Sequence, residues 1–172
     1  MKATKKKKPI VTIQKGNFQE FQFYYGEYAK YSVLGSAIQE GKATFYLVLE
    51  DGLYMKDFWT YDMPDGVLEL GIPNGPIKQT ILDKRYFPEV LSYFQKEKVK
   101  SLIVMLVLRI HDTETEDASQ KREFLEHYGF IPINNLQNDD VSMVQLQYSF
   151  LKKKRRLMIL VPVKYSLNKK IN

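Results

Sequence analysis

The sequence predicts a mixed α/β (α+β) domain, with a largely antiparallel sheet flanked by helices. Three observations carry that prediction. Strand-like segments joined by tight-turn residues fill positions 43–72, and a continuous apolar run of strand length, Ser101 to Leu108, sits between two segments of helical spacing. Two further strand-like segments, FIPI and SMVQLQYSF, follow the second of those helices. At 172 residues, 44% hydrophobic, the chain makes one domain with a sizeable core.

Element by element, Pro9 to Gln14 alternates as a strand does. Phe18, Phe21, Tyr25, Tyr28 and Tyr31 then recur at helical steps, although FQFYY also fits a strand and Gly26 and Gly35 weaken a helix. Such an aromatic stripe reads as core, the other reading being a surface on which a ligand stacks. ATFYLVLE and LYMKDFWTY flank Asp51-Gly52, a pair that suits a two-residue hairpin turn. MPDG is a second turn, Val67 to Ile72 a third strand, and GIPNGP a loop. Phe87, Val90, Leu91 and Phe94 mark a helix, with Pro88 suited to its first turn. The run Ser101–Leu108 is expected to be covered on both faces. Asp117 to Tyr128 reads as a helix, with Asp117 and Gln120 spaced as a capping box. Asn134, Asn135, Asn138, Asp139 and Asp140 read as a hairpin tip, and LMILVPVKY as one more strand.

Composition removes several classes. There is no cysteine, so no disulfide scaffold and no thiolate metal site. No apolar run approaches the ~20 residues of a spanning helix, and no apolar segment follows the N-terminal lysines as in a secretory signal. His111 and His127 fit no metal-binding signature, so no metal is expected. The expectation is a cytoplasmic protein: a disordered basic arm at 1–8, then one domain over 9–172 with a basic C-terminal segment, 152–172.

Charge is segregated along the chain. The first eight residues hold five lysines and positions 152–172 hold eight basic residues, with no acid in either. All 20 acids lie in 9–151, which leaves that body at −7 although the whole chain is +6. An acidic body repels phosphate backbones, so any nucleic acid or other polyanion should meet the ends. The candidate residues are Lys5, Lys6, Lys7 and Lys8 in the arm, with Lys152, Lys153, Lys154, Arg155 and Arg156. A solvated loop, or lysines that protect a sheet edge, is the other reading of the second cluster.

FLEHYGF (Phe124 to Phe130), at the end of a helix that follows a buried strand, resembles the F-Y-E-x-x-G-F segment of GNAT acyltransferases. The order of elements over roughly residues 43–150 is similar to theirs as well. The resemblance implies a GNAT-like fold that uses acetyl-CoA and acylates an amine acceptor. The family's diphosphate-binding Arg/Gln-x-x-Gly-x-Gly loop falls at KQTILD, which has no glycine; there Lys78, Gln79 and Thr80 are the candidate coenzyme contacts. The family's thiolate-protonating tyrosine falls at Leu125, and its asparagine at Ala118. By position, Glu69 would deprotonate the amine through water, and Tyr128 would protonate the departing thiolate. The alternative is a catalytically inactive relative, of the kind mobile elements carry, that binds nucleic acid or a protein partner through its basic termini.

Overall fold

The computed structural model describes residues 8–73, 75–109, 114–137 and 141–151. Lys5, Lys6, Lys7, His111, the Lys152–Arg156 cluster and the LMILVPVKY segment lie outside the described residues.

Seven strands form one sheet: β1 (Val11–Gly16), β2 (Ala43–Glu50), β3 (Leu53–Met63), β4 (Val67–Gly71), β5 (Ser101–Arg109), β6 (Ile131–Gln137) and β7 (Val141–Ser149). Their spatial order is β1-β2-β3-β4-β5-β7-β6, antiparallel throughout except for the parallel β4–β5 pair. The crossover between that pair carries helix α4 (Phe87–Lys96), as a parallel connection requires. The Asp51-Gly52 hairpin forms with Glu50 opposite Leu53, both turn residues at positive φ.

The aromatic stripe is helical but broken into α1 (Phe18–Tyr25), α2 (Glu27–Tyr31) and α3 (Val33–Gln39). Asn17 and Glu20 form a reciprocal capping box that starts α1. Ser32 ends α2 and caps α3, its hydroxyl accepting from the Gly35 amide at 2.9 Å. The third helix was not expected from Gly35, which the fold needs because a Cβ there would stand 1.8 Å from the Ala29 carbonyl oxygen.

Two apolar clusters grip the sheet from opposite sides. Phe21, Ala29, Leu34 and Ile38 pack on Phe45 and Leu47 of β2. On the other face Tyr46, Val48, Phe58, Leu70, Leu102 and Val104 pack on Phe87, Val90 and Phe94 of α4 and Leu125 of α5 (Glu114–His127). The strand covered on both faces is therefore β2. The expectation for β5 is corrected: Leu102, Val104 and Leu106 are buried, whereas Met105 and Val107 are 40% and 47% exposed. Helices α1–α3 lie over β2 and β3, so among the described residues no helix lies against that face of β5.

Two boundaries also move. Helix α5 begins at Glu114, so Asp117 is an interior residue of its first turn rather than its cap. Acids there still oppose the positive end of the helix dipole. Asn134 and Asn135 are paired in β6 opposite Gln145 and Val144, after an irregularity at 132–134, instead of forming a turn. Strand pairing satisfies their backbone groups better than local turn preference does.

Candidate functional site

The parallel pairing of β4 with β5 covers only three residue pairs, Val67–Ser101, Leu68–Leu102 and Glu69–Ile103. Beyond Glu69 the ladder stops, although β4 runs on to Gly71 and β5 to Arg109. Pro73 and Pro76 follow, and neither has an amide hydrogen to prolong the ladder. The gap is a cleft of about 380 Å³ walled by Glu69 to Ile72 on one side and Val104 to Val107 on the other. Trp59 of β3 and Ala118 and Lys121 of α5 complete its lining.

Strand alternation shows that the cleft runs through the sheet. Leu70 points into the α4/α5 core, while Glu69 and Gly71 are the cross-strand partners of Tyr61 and Trp59. Both of those rings pack against the α1–α3 cluster. One mouth therefore opens toward α5, the other toward α1–α3. The indole of Trp59 lies flat over Gly71, where an added Cβ would be 1.8 Å from its Nε1. Trp59 is the sole tryptophan. Gly71→Ala is expected to displace it, shift the intrinsic emission spectrum and lower stability by about 1–3 kcal/mol. An unchanged spectrum would contradict the close packing.

Two charged groups stand among the described residues that line the cleft. Glu69 is half-buried in its wall. Lys121 is only 8% exposed, with its Nζ donating to the Pro73 carbonyl at 3.5 Å. Burial raises the pKa of Tyr61, and the neighbouring Glu69 and Tyr28 side chains add to the shift.

A second cavity, also about 380 Å³, adjoins the first and is lined by Tyr25, Tyr28, Leu34, Trp59, Ile72 and Pro73. Trp59 and Ile72 are walls of both. Behind it, the buried Asp57 carboxylate accepts from the Tyr25 hydroxyl at 2.7 Å and the Tyr54 hydroxyl at 2.6 Å. Burial and these bonds push both phenols well above the usual range, so each stays a donor.

Of the residues expected from sequence to act, Glu69 is the only one among those described that lines the cleft. Tyr128 is half-buried among rings, 5.2 Å from Phe87 and 4.8 Å from Phe124 between centroids. Leu125 is fully buried. Ile77–Gln79 form a single 3-10 turn. In and beside it the Lys78 carbonyl accepts from Lys56 Nζ at 2.8 Å, and the buried Thr80 hydroxyl donates to the Ile77 carbonyl at 2.8 Å. Gln79 lies beside Gly75, and none of the three lines the cleft. Lys8 is exposed beside Lys84 and Arg85, on the rim of another surface hollow.

Whether a diphosphate fits the start of α4 depends on open amides there. Arg85 N donates to the Asp83 side chain at 2.8 Å, and Tyr86 N and Phe87 N donate to the Asp83 carbonyl at 3.1 and 2.9 Å. Glu89 N and Val90 N donate to the Tyr86 carbonyl at 3.0 and 3.1 Å, and residue 88 is proline. The amides of residues 85, 86, 87, 89 and 90 are thus all taken, so they do not form the family's diphosphate cradle.

Sequence reasoning missed Trp59, Gly71 and Lys121. One signal was present for Lys121: it stands between Ala118 and Leu125 at the spacing of the apolar face of α5, where a lysine is out of place. Nothing local marks Trp59 and Gly71, which meet only across two strands.

A seven-stranded sheet that parts between its fourth and fifth strands around a helical crossover is the fold of the GNAT N-acetyltransferases. Solved structures agree. A GNAT-family protein from Desulfovibrio desulfuricans aligns with a TM-score of 0.57 and 14% identity, over 81% of this chain and 99% of its own. The IAA acetyltransferase of Bacillus cereus aligns at 0.56 and 11%, over 81% and 99%. The ribosomal-protein-S18-alanine N-acetyltransferase of Escherichia coli aligns at 0.56 and 11%, over 81% and 94%. No protein-family profile and no curated protein matches the sequence itself. Among the described residues, no helix is long and apolar enough to cross a membrane.

Proposed function

We propose that the protein transfers an acyl group from a coenzyme A thioester to an amine, with Glu69 as general base. The observation that carries this reading is the half-buried Glu69 carboxylate on the wall of a cleft that passes through the sheet. Where the β4–β5 ladder ends, two strand edges are left that suit an extended, amide-bearing arm such as that of coenzyme A. The amine nitrogen attacks the thioester carbonyl, forming the N–C bond as the C–S bond breaks. Glu69 takes the amine proton, directly or through water, and the thiolate takes a proton from solvent. Tyr128 is not needed for this step, and Tyr128→Phe, which keeps the ring, is expected to leave turnover unchanged.

The reading does not extend to the diphosphate end, where the occupied amides at α4 do not fit the group. That observation favours a second reading: a GNAT-like fold without coenzyme chemistry, binding a polyanion through Lys5–Lys8 and Lys152–Arg156. A thermal-unfolding titration with acetyl-CoA separates the two. At ~100 times the dissociation constant the ligand should add about 2.7 kcal/mol, a rise of roughly 5–10 °C in Tm for a chain this size. No rise at millimolar ligand would leave only the second reading.

A further inference from the structure

We infer that the cavity between α1–α3 and Trp59 is the acceptor site, and that it takes a small arylalkyl amine with no charged group on its tail. The inference rests on the acyl-transfer reading above and names the acceptor for it. The first argument is position. The cavity meets the catalytic cleft at Trp59 and Ile72, and Trp59 lies on the same sheet face as Glu69, one cross-strand pair along. An amine held at Glu69 therefore has its substituent directed past the indole into this cavity.

The second argument is chemistry. Of the six described residues that line it, three are aromatic and three aliphatic, and none of the six carries a charge. The buried Asp57 behind the wall offers no free counter-ion, since the Tyr25 and Tyr54 hydroxyls both donate to it. A carboxylate or phosphate on the substrate tail would find no cationic partner among these six residues. A cationic amine in transit across the ring faces meets attraction instead.

The third argument is rigidity. The Tyr25 ring stacks on Phe21 at 4.6 Å and is pinned at its hydroxyl by Asp57. Trp59 is held over Gly71. Tyr28, 58% exposed, forms the outer wall. At about 380 Å³ the cavity falls at the small end of ligand sites, enough for a single or fused ring. The aromatic stripe of α1 and α2 thus serves twice, with Phe21 in the core and Tyr25 and Tyr28 facing the cavity.

The test uses the full chain, with Trp59 emission and mass detection of the acetylated amine as readouts. Acetyl-CoA is the donor, and 2-phenylethylamine, n-propylamine and 4-(2-aminoethyl)benzoate, which carries a carboxylate at the end of its tail, are the probes. Phenylethylamine should bind and be acetylated at least roughly tenfold better than either other probe, and Tyr28→Ala should weaken it by about the same factor. The acetyl-CoA melting shift of Tyr28→Ala should match that of the unaltered protein. If acetyl-CoA binds but the three probes are equivalent, or Tyr28→Ala has no effect, the acceptor assignment is overturned and the transfer reading stands. If acetyl-CoA produces no shift and no amine is acetylated, both fall.

Discussion

Glu69→Gln is expected to lower amine acetylation by roughly 10²- to 10⁴-fold, the usual contribution of a positioned general base. Glutamine keeps the shape of the side chain and loses only the ability to take a proton. Glu69 is the last β4 residue in the β4–β5 ladder, so its backbone position is set by strand pairing on both sides. The substitution should therefore change stability by no more than about 0.5 kcal/mol. The acetyl-CoA melting shift should persist while kcat falls, which separates lost chemistry from lost binding. Unchanged turnover in Glu69→Gln would remove the base assignment, whatever the coenzyme result.

Gly35→Ala is expected to cost about 3 kcal/mol, a fall of roughly 6–12 °C in Tm. The added methyl group would lie 1.8 Å from the Ala29 carbonyl oxygen and 2.8 Å from its carbon. Both are backbone atoms, so no rotamer change relieves the contact and α2 and α3 must move apart. Those helices carry Tyr28 and Leu34, so phenylethylamine binding should weaken along with stability. Gly41→Ala is the control. Gly41 has a φ of +71° and nothing within 4 Å of its would-be Cβ, so it reports backbone strain alone, about 1–2 kcal/mol. Equal effects at the two positions would mean that the α2–α3 contact is softer than it looks.

Local signals carried most of the fold. Asp51-Gly52 specified a two-residue hairpin by its tolerance of positive φ, and the spacing of Phe87, Val90 and Phe94 specified the face of α4 that is buried. Local signals misled where neighbours in space decided. Ser101–Leu108 is apolar at every position after the first, yet Met105 and Val107 line an open cleft, because the helices on that face stop short of β5. Asn134 and Asn135 carry turn chemistry and nevertheless pair with β7.

Sequence by itself determined the class of fold and the segregation of charge, and its resemblance to GNAT acyltransferases nominated Glu69. The first two depend on periodicity, turn residues and element order, which are properties of adjacent positions. Only the tertiary structure decided that the β4–β5 ladder stops at Glu69, that Gly71 makes room for Trp59, and that Lys121 sits at the cleft. It also decided that the amides at the start of α4 are already bound and that Tyr128 packs among rings. The end of the ladder, the packing of Trp59 on Gly71 and the placement of Lys121 are contacts between residues distant in the chain, and the strength of such a contact depends on distance and burial, which no local pattern records.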